Sequence, residues 1–123
     1  MRLACQESGQ PVPQTRAQTV RVVLDSLARK VAAVLDILEE VSGQPIQTVH
    51  VVGGGSRIDL LNTLIAEASG RVVVAGPVEA TLEGNLLVQS AILGLLGASQ
   101  IRDVVRASAS LRMFHPRSQD PQL

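Results

Sequence analysis

The sequence is almost without aromatic residues, since it has no tryptophan, no tyrosine and a single phenylalanine, Phe114. Proteins that bind sugars or single-stranded nucleic acid by ring stacking need such side chains, so composition weighs against both modes of binding. The apolar content of 46% over 123 residues comes from aliphatic side chains and alanine. That amount is enough for one modest hydrophobic core in one small domain.

An excess of charge is also missing, because 11 Lys and Arg balance 11 Asp and Glu. We therefore expect no electrostatic binding of nucleic acid. The single cysteine, Cys5, allows neither an internal disulfide nor a cysteine-based metal site. No apolar run reaches the length of a membrane span, and the first residues lack the apolar segment of a signal peptide. These absences predict a cytoplasmic protein with no membrane partner.

The clearest predicted element is a long helix over residues 15–42. Thr15 and Gln18 fit a capping box, in which each side chain satisfies a free N–H group of the first turn. Apolar residues then recur at steps of three and four, which predicts one buried helix face. They are Val20, Leu24, Leu27, Val31, Leu35, Leu38 and Val41. Gly43 is expected to end the helix.

Two predicted strands enclose a helix in the middle of the chain. Residues 46–52 and 71–75 are short, rich in β-branched residues and bounded by turn residues. The intervening helix is predicted to be capped by Ser56, with Asp59 three residues later. Such a strand, helix and strand predict a parallel βαβ unit. Because two strands are too few for a stable sheet, we expect part of an α/β domain whose other strands lie elsewhere.

The two ends of the chain are predicted to be irregular. Residues 1–14 contain a glycine and two prolines, which predict a loop, and the polar residues 111–123 predict a flexible tail. Helices over 81–96 and 99–108, the second capped by Ser99, complete the order α-β-α-β-α-α. Gly84 inside the first of these indicates close packing against a neighbouring element, since glycine is unfavourable in a free helix.

Gly53, Gly54 and Gly55 follow directly after the first predicted strand. The carboxyl edge of a parallel sheet is where α/β proteins bind ligands. Glycines let backbone N–H groups approach an anion or a nucleoside, and the helix N-terminus behind them adds partial positive charge. The run fits neither the dinucleotide fingerprint nor a Walker A loop. From these residues alone, a ligand contact and a plain tight turn are equally open.

Four blocks occur in order: an apolar strand with "GGGS", then "LLNTLIAEASGR", "VVAGPVEAT" and "GNLLVQ". Together they resemble the C-terminal region of FGGY-type carbohydrate kinases, and within that family the rhamnulokinases, from about Cys5 to Ser108. The resemblance implies that residues 15–110 are an incomplete C-terminal kinase domain, a partial actin-like ATPase (ribonuclease H-like) fold. It also implies MgATP in a cleft between two domains and transfer of the γ-phosphate to a ketose hydroxyl, with L-rhamnulose as the substrate.

The resemblance further implies which residues contact ATP. The glycine run of these kinases lines the adenosine side of the cleft, which corresponds to Gly53, Gly54, Gly55 and Ser56 here, with Gly54 the strongest candidate. Relatives commonly have a polar residue in place of Ile58. The general base, the Mg²⁺ ligands and the sugar contacts lie upstream in the family. The resemblance therefore implies no catalytic residue, no metal ligand and no activity in the isolated chain.

The alternative function belongs to another class. In that interpretation the chain is a non-catalytic α/β module that binds a nucleotide or a partner protein through its unpaired sheet edge. An exposed apolar edge favours aggregation, which weighs against this alternative.

Overall fold

The computed structural model describes residues 2–117. They form a mixed α/β fold with one small sheet and five α-helices. The helices are α1 (Arg2–Glu7), α2 (Arg16–Ser42), α3 (Asp59–Ser69), α4 (Ala80–Ile92) and α5 (Ile101–Ser108). The strands are β1 (Thr48–Val51), β2 (Val72–Ala75) and β3 (Arg112–Phe114), and 3-10 helices cover Gly53–Arg57 and Ala98–Gln100. The predicted order therefore lacked the first helix and the last strand.

The predicted long helix is confirmed together with both of its ends. The Gln18 N–H donates to Thr15 Oγ1 at 3.1 Å, and the Thr15 N–H donates to Gln18 Oε1 at 3.1 Å, so the capping box is complete. Gly43 adopts φ +65° and donates its N–H to the Glu39 carbonyl. A residue without a Cβ ends the helix in this left-handed conformation at little cost.

The predicted apolar stripe of α2 is buried only in part. The buried residues of the helix are Leu24, Ala28 and Ala32, whereas Val41 at its end is 80% exposed. One reason is length, because α2 packs mainly against α3. A helix of 27 residues is about 40 Å long and one of 11 residues about 17 Å, so α3 covers only part of α2.

The sheet confirms the parallel βαβ unit and adds a third strand. β2 lies in the middle, with β1 parallel on one side and β3 antiparallel on the other. Val73 of β2 pairs with Val49 of β1 and with Phe114 of β3. Val73 is completely buried against Leu64 and Ile65 of α3, and Phe114 packs against the same core.

Two predictions about the chain ends are therefore wrong. Within the tail predicted at 111–123, β3 forms because its backbone pairs with β2 and Phe114 adds to the core; residues 118–123 lie outside the described part of the chain. Within the loop predicted at 1–14, α1 forms because the glycine and the prolines all come after Glu7. The Ser8 hydroxyl then donates to the Ala4 carbonyl at the end of this helix.

α4 has no buried residue, and its apolar side chains Leu82, Leu86 and Ile92 are 67%, 63% and 79% exposed. The sequence predicted close packing at Gly84, and this prediction is wrong. Within residues 2–117, no atom apart from the neighbouring residues of its own helix lies within 4 Å of the position that a Cβ would occupy. α5 begins at Ile101 after a turn in which Gln100 Oε1 accepts from the Gly97 N–H, so Ser99 is not its cap. None of the helices described is both long and apolar enough to cross a bilayer.

Candidate functional site

The glycine run lies at the carboxyl end of β1, where the chain turns into α3. Gly53–Arg57 form a single 3-10 helix, here called the glycine turn. Two backbone hydrogen bonds join the end of β1 and the start of this turn to the segment that follows β2. The Gly53 N–H donates to the Pro77 carbonyl at 3.0 Å, and the Gly76 N–H donates to the Val51 carbonyl at 2.8 Å. The carboxyl ends of both parallel strands are thus held side by side, as the sequence predicts for a ligand-binding edge.

Of the three glycines of the turn, only Gly53 has a backbone conformation that favours glycine. Gly53 has φ +74°, a conformation that other residues adopt only with strain. A Cβ on Gly55 would make an ordinary 3.8 Å contact with Val51 Cγ1. Gly54 has no positive φ, no atom of residues 2–117 other than its chain neighbours lies within 4 Å of a Cβ position, and it is exposed. The fold therefore does not require a glycine at position 54.

The N–H group of Gly54 is free to bind a ligand. The first N–H groups of a helix have no acceptor within that helix. Among residues 2–117, no other backbone carbonyl accepts a hydrogen bond from the Gly54 N–H. Together with the open space beside its Cα, this makes Gly54 the position of the glycine turn at which the described residues leave the backbone most open.

Ser56 differs from its predicted role. Ser56 is completely buried, and its hydroxyl donates to the Gly53 carbonyl at 2.7 Å. It does not cap α3, because the cap position is Ile58 and no side chain caps this helix. The prediction of a Ser56 cap is wrong because the chain inserts a 3-10 turn before the helix begins. The Ser56 side chain closes that turn and is not presented at the surface.

The exit of the glycine turn is held by two residues to which the sequence assigned no role. The Ser56 carbonyl accepts from Asn62 Nδ2 at 3.0 Å and from Arg112 Nη2 at 2.6 Å. The second guanidinium nitrogen of Arg112 contacts the exposed carboxylate of Asp59. Asn62 is completely buried, and its Oδ1 has no partner in the described part of the chain. Its place among the apolar residues of α3 was a signal that sequence reasoning did not use.

At this edge of the sheet, backbone groups are available to contact a ligand. Across residues 2–117, no group of three or more His, Cys, Asp or Glu side chains is placed to hold a metal ion. The charged side chains at the turn, Arg57 and Asp59, are both exposed. The site offers a free N–H group and open space, which suit a nucleoside or an anion.

Comparisons with known proteins find a matching family model and similar curated proteins. The model of the FGGY family of carbohydrate kinases, C-terminal domain, matches residues 1–93. A rhamnulokinase of Bacteroides thetaiotaomicron is 45% identical over 114 residues, which are 92% of this chain and 24% of that protein. A rhamnulokinase of Klebsiella pneumoniae subsp. pneumoniae is 46% identical over 92% of this chain and 23% of its own length. One of an Enterobacter species is 45% identical over 94% and 24%. The chain spans about a quarter of the length of these relatives.

Proposed function

The chain belongs to the FGGY family of carbohydrate kinases and matches its C-terminal domain, and from this premise we propose that it supplies the ATP-binding wall of a sugar kinase. The reaction is transfer of the γ-phosphate of ATP to a ketose hydroxyl. L-rhamnulose is the proposed substrate and L-rhamnulose 1-phosphate the product, because the similar proteins are rhamnulokinases.

The observation that carries this proposal is the state of Gly54. Among residues 2–117 its N–H has no backbone acceptor, and apart from its chain neighbours no atom lies within 4 Å of its Cβ position. The space beside Gly54 is therefore open to a nucleoside that contacts the backbone of the turn. Gly53 begins the turn with its positive φ, Gly55 follows Gly54, and Ser56 closes the turn from within through the Gly53 carbonyl. ATP supplies the phosphoryl group, and this chain binds and orients the nucleoside.

The other parts of the reaction are proposed to lie in the rest of the kinase. Phosphoryl transfer requires positioned phosphates, Mg²⁺ and an oriented hydroxyl. The described residues contain no cluster suited to a metal ion, and the glycine turn contains no side chain that is placed as a general base. We therefore propose that the isolated chain binds ATP but does not transfer phosphate.

Calorimetric titration of the chain with ATP tests the proposal through Gly54→Val. The branched side chain would fill the space beside the free N–H, and we expect ATP binding to be lost. Gly84→Val is the matched control, because position 84 is also open and lies on α4 away from the turn. It should leave binding unchanged. Circular dichroism checks that both variants fold.

Either of two results would contradict the assignment. One is a folded wild-type chain that does not bind ATP. The other is a Gly54→Val variant that binds as tightly as the wild type, which would mean that the glycines form only a turn.

The exposed apolar face of α4 favours a second candidate, a non-catalytic module that binds a partner protein. Leu82 and Leu86 leave a surface of the kind that proteins cover in complexes. The two candidates differ when the chain is mixed with the remaining part of the Bacteroides thetaiotaomicron rhamnulokinase, expressed separately. ADP release that depends on L-rhamnulose supports the kinase, whereas a folded mixture without turnover favours the module.

A further inference from the structure

Arg112 links the last strand of the sheet to the glycine turn. It lies in β3, 56 residues along the chain from Ser56, and its Nη2 donates to the Ser56 carbonyl at 2.6 Å. Its other terminal nitrogen contacts the carboxylate of Asp59 in the first turn of α3. One guanidinium therefore binds both the end of the glycine turn and the start of the helix that follows.

The two contacts of Arg112 differ in weight. The ion pair with Asp59 is between side chains that are 46% and 63% exposed, and such surface pairs contribute little to stability. The Ser56 carbonyl belongs to a completely buried residue, and its bond to a charged donor is the stronger interaction. The guanidinium carbon also lies 5.9 Å from the centroid of the Phe114 ring, within reach of a cation–π interaction.

The Ser56 carbonyl is also fixed from the other side. Asn62 Nδ2 donates to it at 3.0 Å from inside α3. The Ser56 hydroxyl meanwhile ties this residue to the Gly53 carbonyl. Moving the peptide of Ser56 would therefore move the whole turn, including the free N–H of Gly54 two residues earlier.

We propose that Arg112 is a positioning residue of the nucleotide site, which holds the glycine turn in the geometry that ATP requires. The inference rests on the proposed function for its nucleotide part. Residue 112 lies beyond residue 93, where the match to the family domain ends. The anchor of the turn is thus supplied by a segment outside that match.

Arg112→Gln and Arg112→Lys test the proposal in the full chain. Glutamine removes the charge, and lysine keeps the charge but cannot contact Ser56 and Asp59 with a planar fork. Arg117→Gln is the matched control, because Arg117 pairs with Glu67 of α3 and does not reach the turn. Amide hydrogen exchange of residues 53–57 reports on the turn, and calorimetry reports on ATP.

We expect turn amides to exchange severalfold faster in both Arg112 variants, while those of β2 keep their protection. ATP affinity should fall about tenfold, the equivalent of one hydrogen bond to a charged group. Arg117→Gln should change neither quantity. If a variant unfolds as a whole, the amides of β2 also exchange faster. In that case the milder variant Arg112→Lys is the one to compare with the wild type.

The possible results separate the inference from the function on which it rests. The inference is overturned if the amides of residues 53–57 exchange at the wild-type rate in folded Arg112 variants. It is also overturned if the wild type binds ATP and the variants bind it equally tightly. Faster turn exchange with no ATP binding by the wild type supports the anchoring of the turn and overturns the proposed function.

Discussion

Replacing Gly76 by alanine should destabilise the chain because two separate costs meet at this position. The residue has φ +115°, a region that residues with a Cβ rarely occupy. A Cβ there would lie 2.8 Å from the Ser110 carbonyl oxygen and 3.3 Å from Leu111 Cδ2. The oxygen is part of the backbone that leads into β3, so it cannot move aside as a flexible side chain would.

The expected magnitude follows from adding these costs. A residue in a sparsely populated backbone region costs about 1–3 kcal/mol, and forcing extra atoms into packed structure costs about 1–3 kcal/mol more. The sum of about 2–6 kcal/mol is a large part of the stability of a domain of this size. It corresponds to a melting temperature lower by roughly 8 °C or more.

Two other glycines separate the costs when urea unfolding is followed by far-UV circular dichroism. At Gly53 an added Cβ has room, with the Val78 carbonyl at 3.9 Å, but φ is +74°. Gly53→Ala should therefore show only the backbone cost of about 1–2 kcal/mol. Gly54→Ala has neither cost and should stay within about 0.5 kcal/mol of the wild type. A Gly76→Ala variant as stable as Gly54→Ala would refute the reasoning.

Two further predictions concern the ends of α2. Thr15→Ala removes the oxygen that accepts from the Gln18 N–H and should cost about 1 kcal/mol in urea unfolding, with Thr63→Ala on α3 as a control that removes no cap. The pKa of Glu39 lies below its ordinary value because the Arg71 guanidinium and then the Ile46 N–H donate to its carboxylate. This carboxylate stabilises the fold above its unfolded pKa of about 4.3 and ceases to do so as pH falls through the lower folded pKa. Glu39→Gln should therefore be less stable than the wild type at pH 7 and lose less stability on acidification; equal acid slopes would contradict this.

The parts of the fold that could be predicted are those set by neighbours in sequence. The capping box needs only Thr15 and Gln18, and the left-handed cap needs only Gly43, so both ends of α2 are readable. The βαβ unit follows from two short apolar strands separated by one helix. β3 could not be predicted in this way, because three residues become a strand only through pairing with β2, some forty residues earlier.

The candidate site shows the same division. The position of the glycine turn after β1 followed from the sequence. The buried position of Ser56 did not, because its hydroxyl reaches the Gly53 carbonyl only after the chain forms a 3-10 turn. Arg112 had no local signal either, since its contact with Ser56 spans 56 residues and depends on β3.

Because the fold requires glycine at some positions and not at others, the glycines are expected to vary differently among relatives. At positions 53 and 76 the backbone itself selects glycine, whatever the protein binds. At position 54 nothing within residues 2–117 does so, because the fold leaves that place open, and the proposed contact with ATP is the reason for glycine there. A lineage that abandoned nucleotide binding would therefore keep glycine at 53 and 76 while position 54 drifted to larger residues. The residue at position 54 in each relative would then show whether nucleotide binding was lost while the fold was kept.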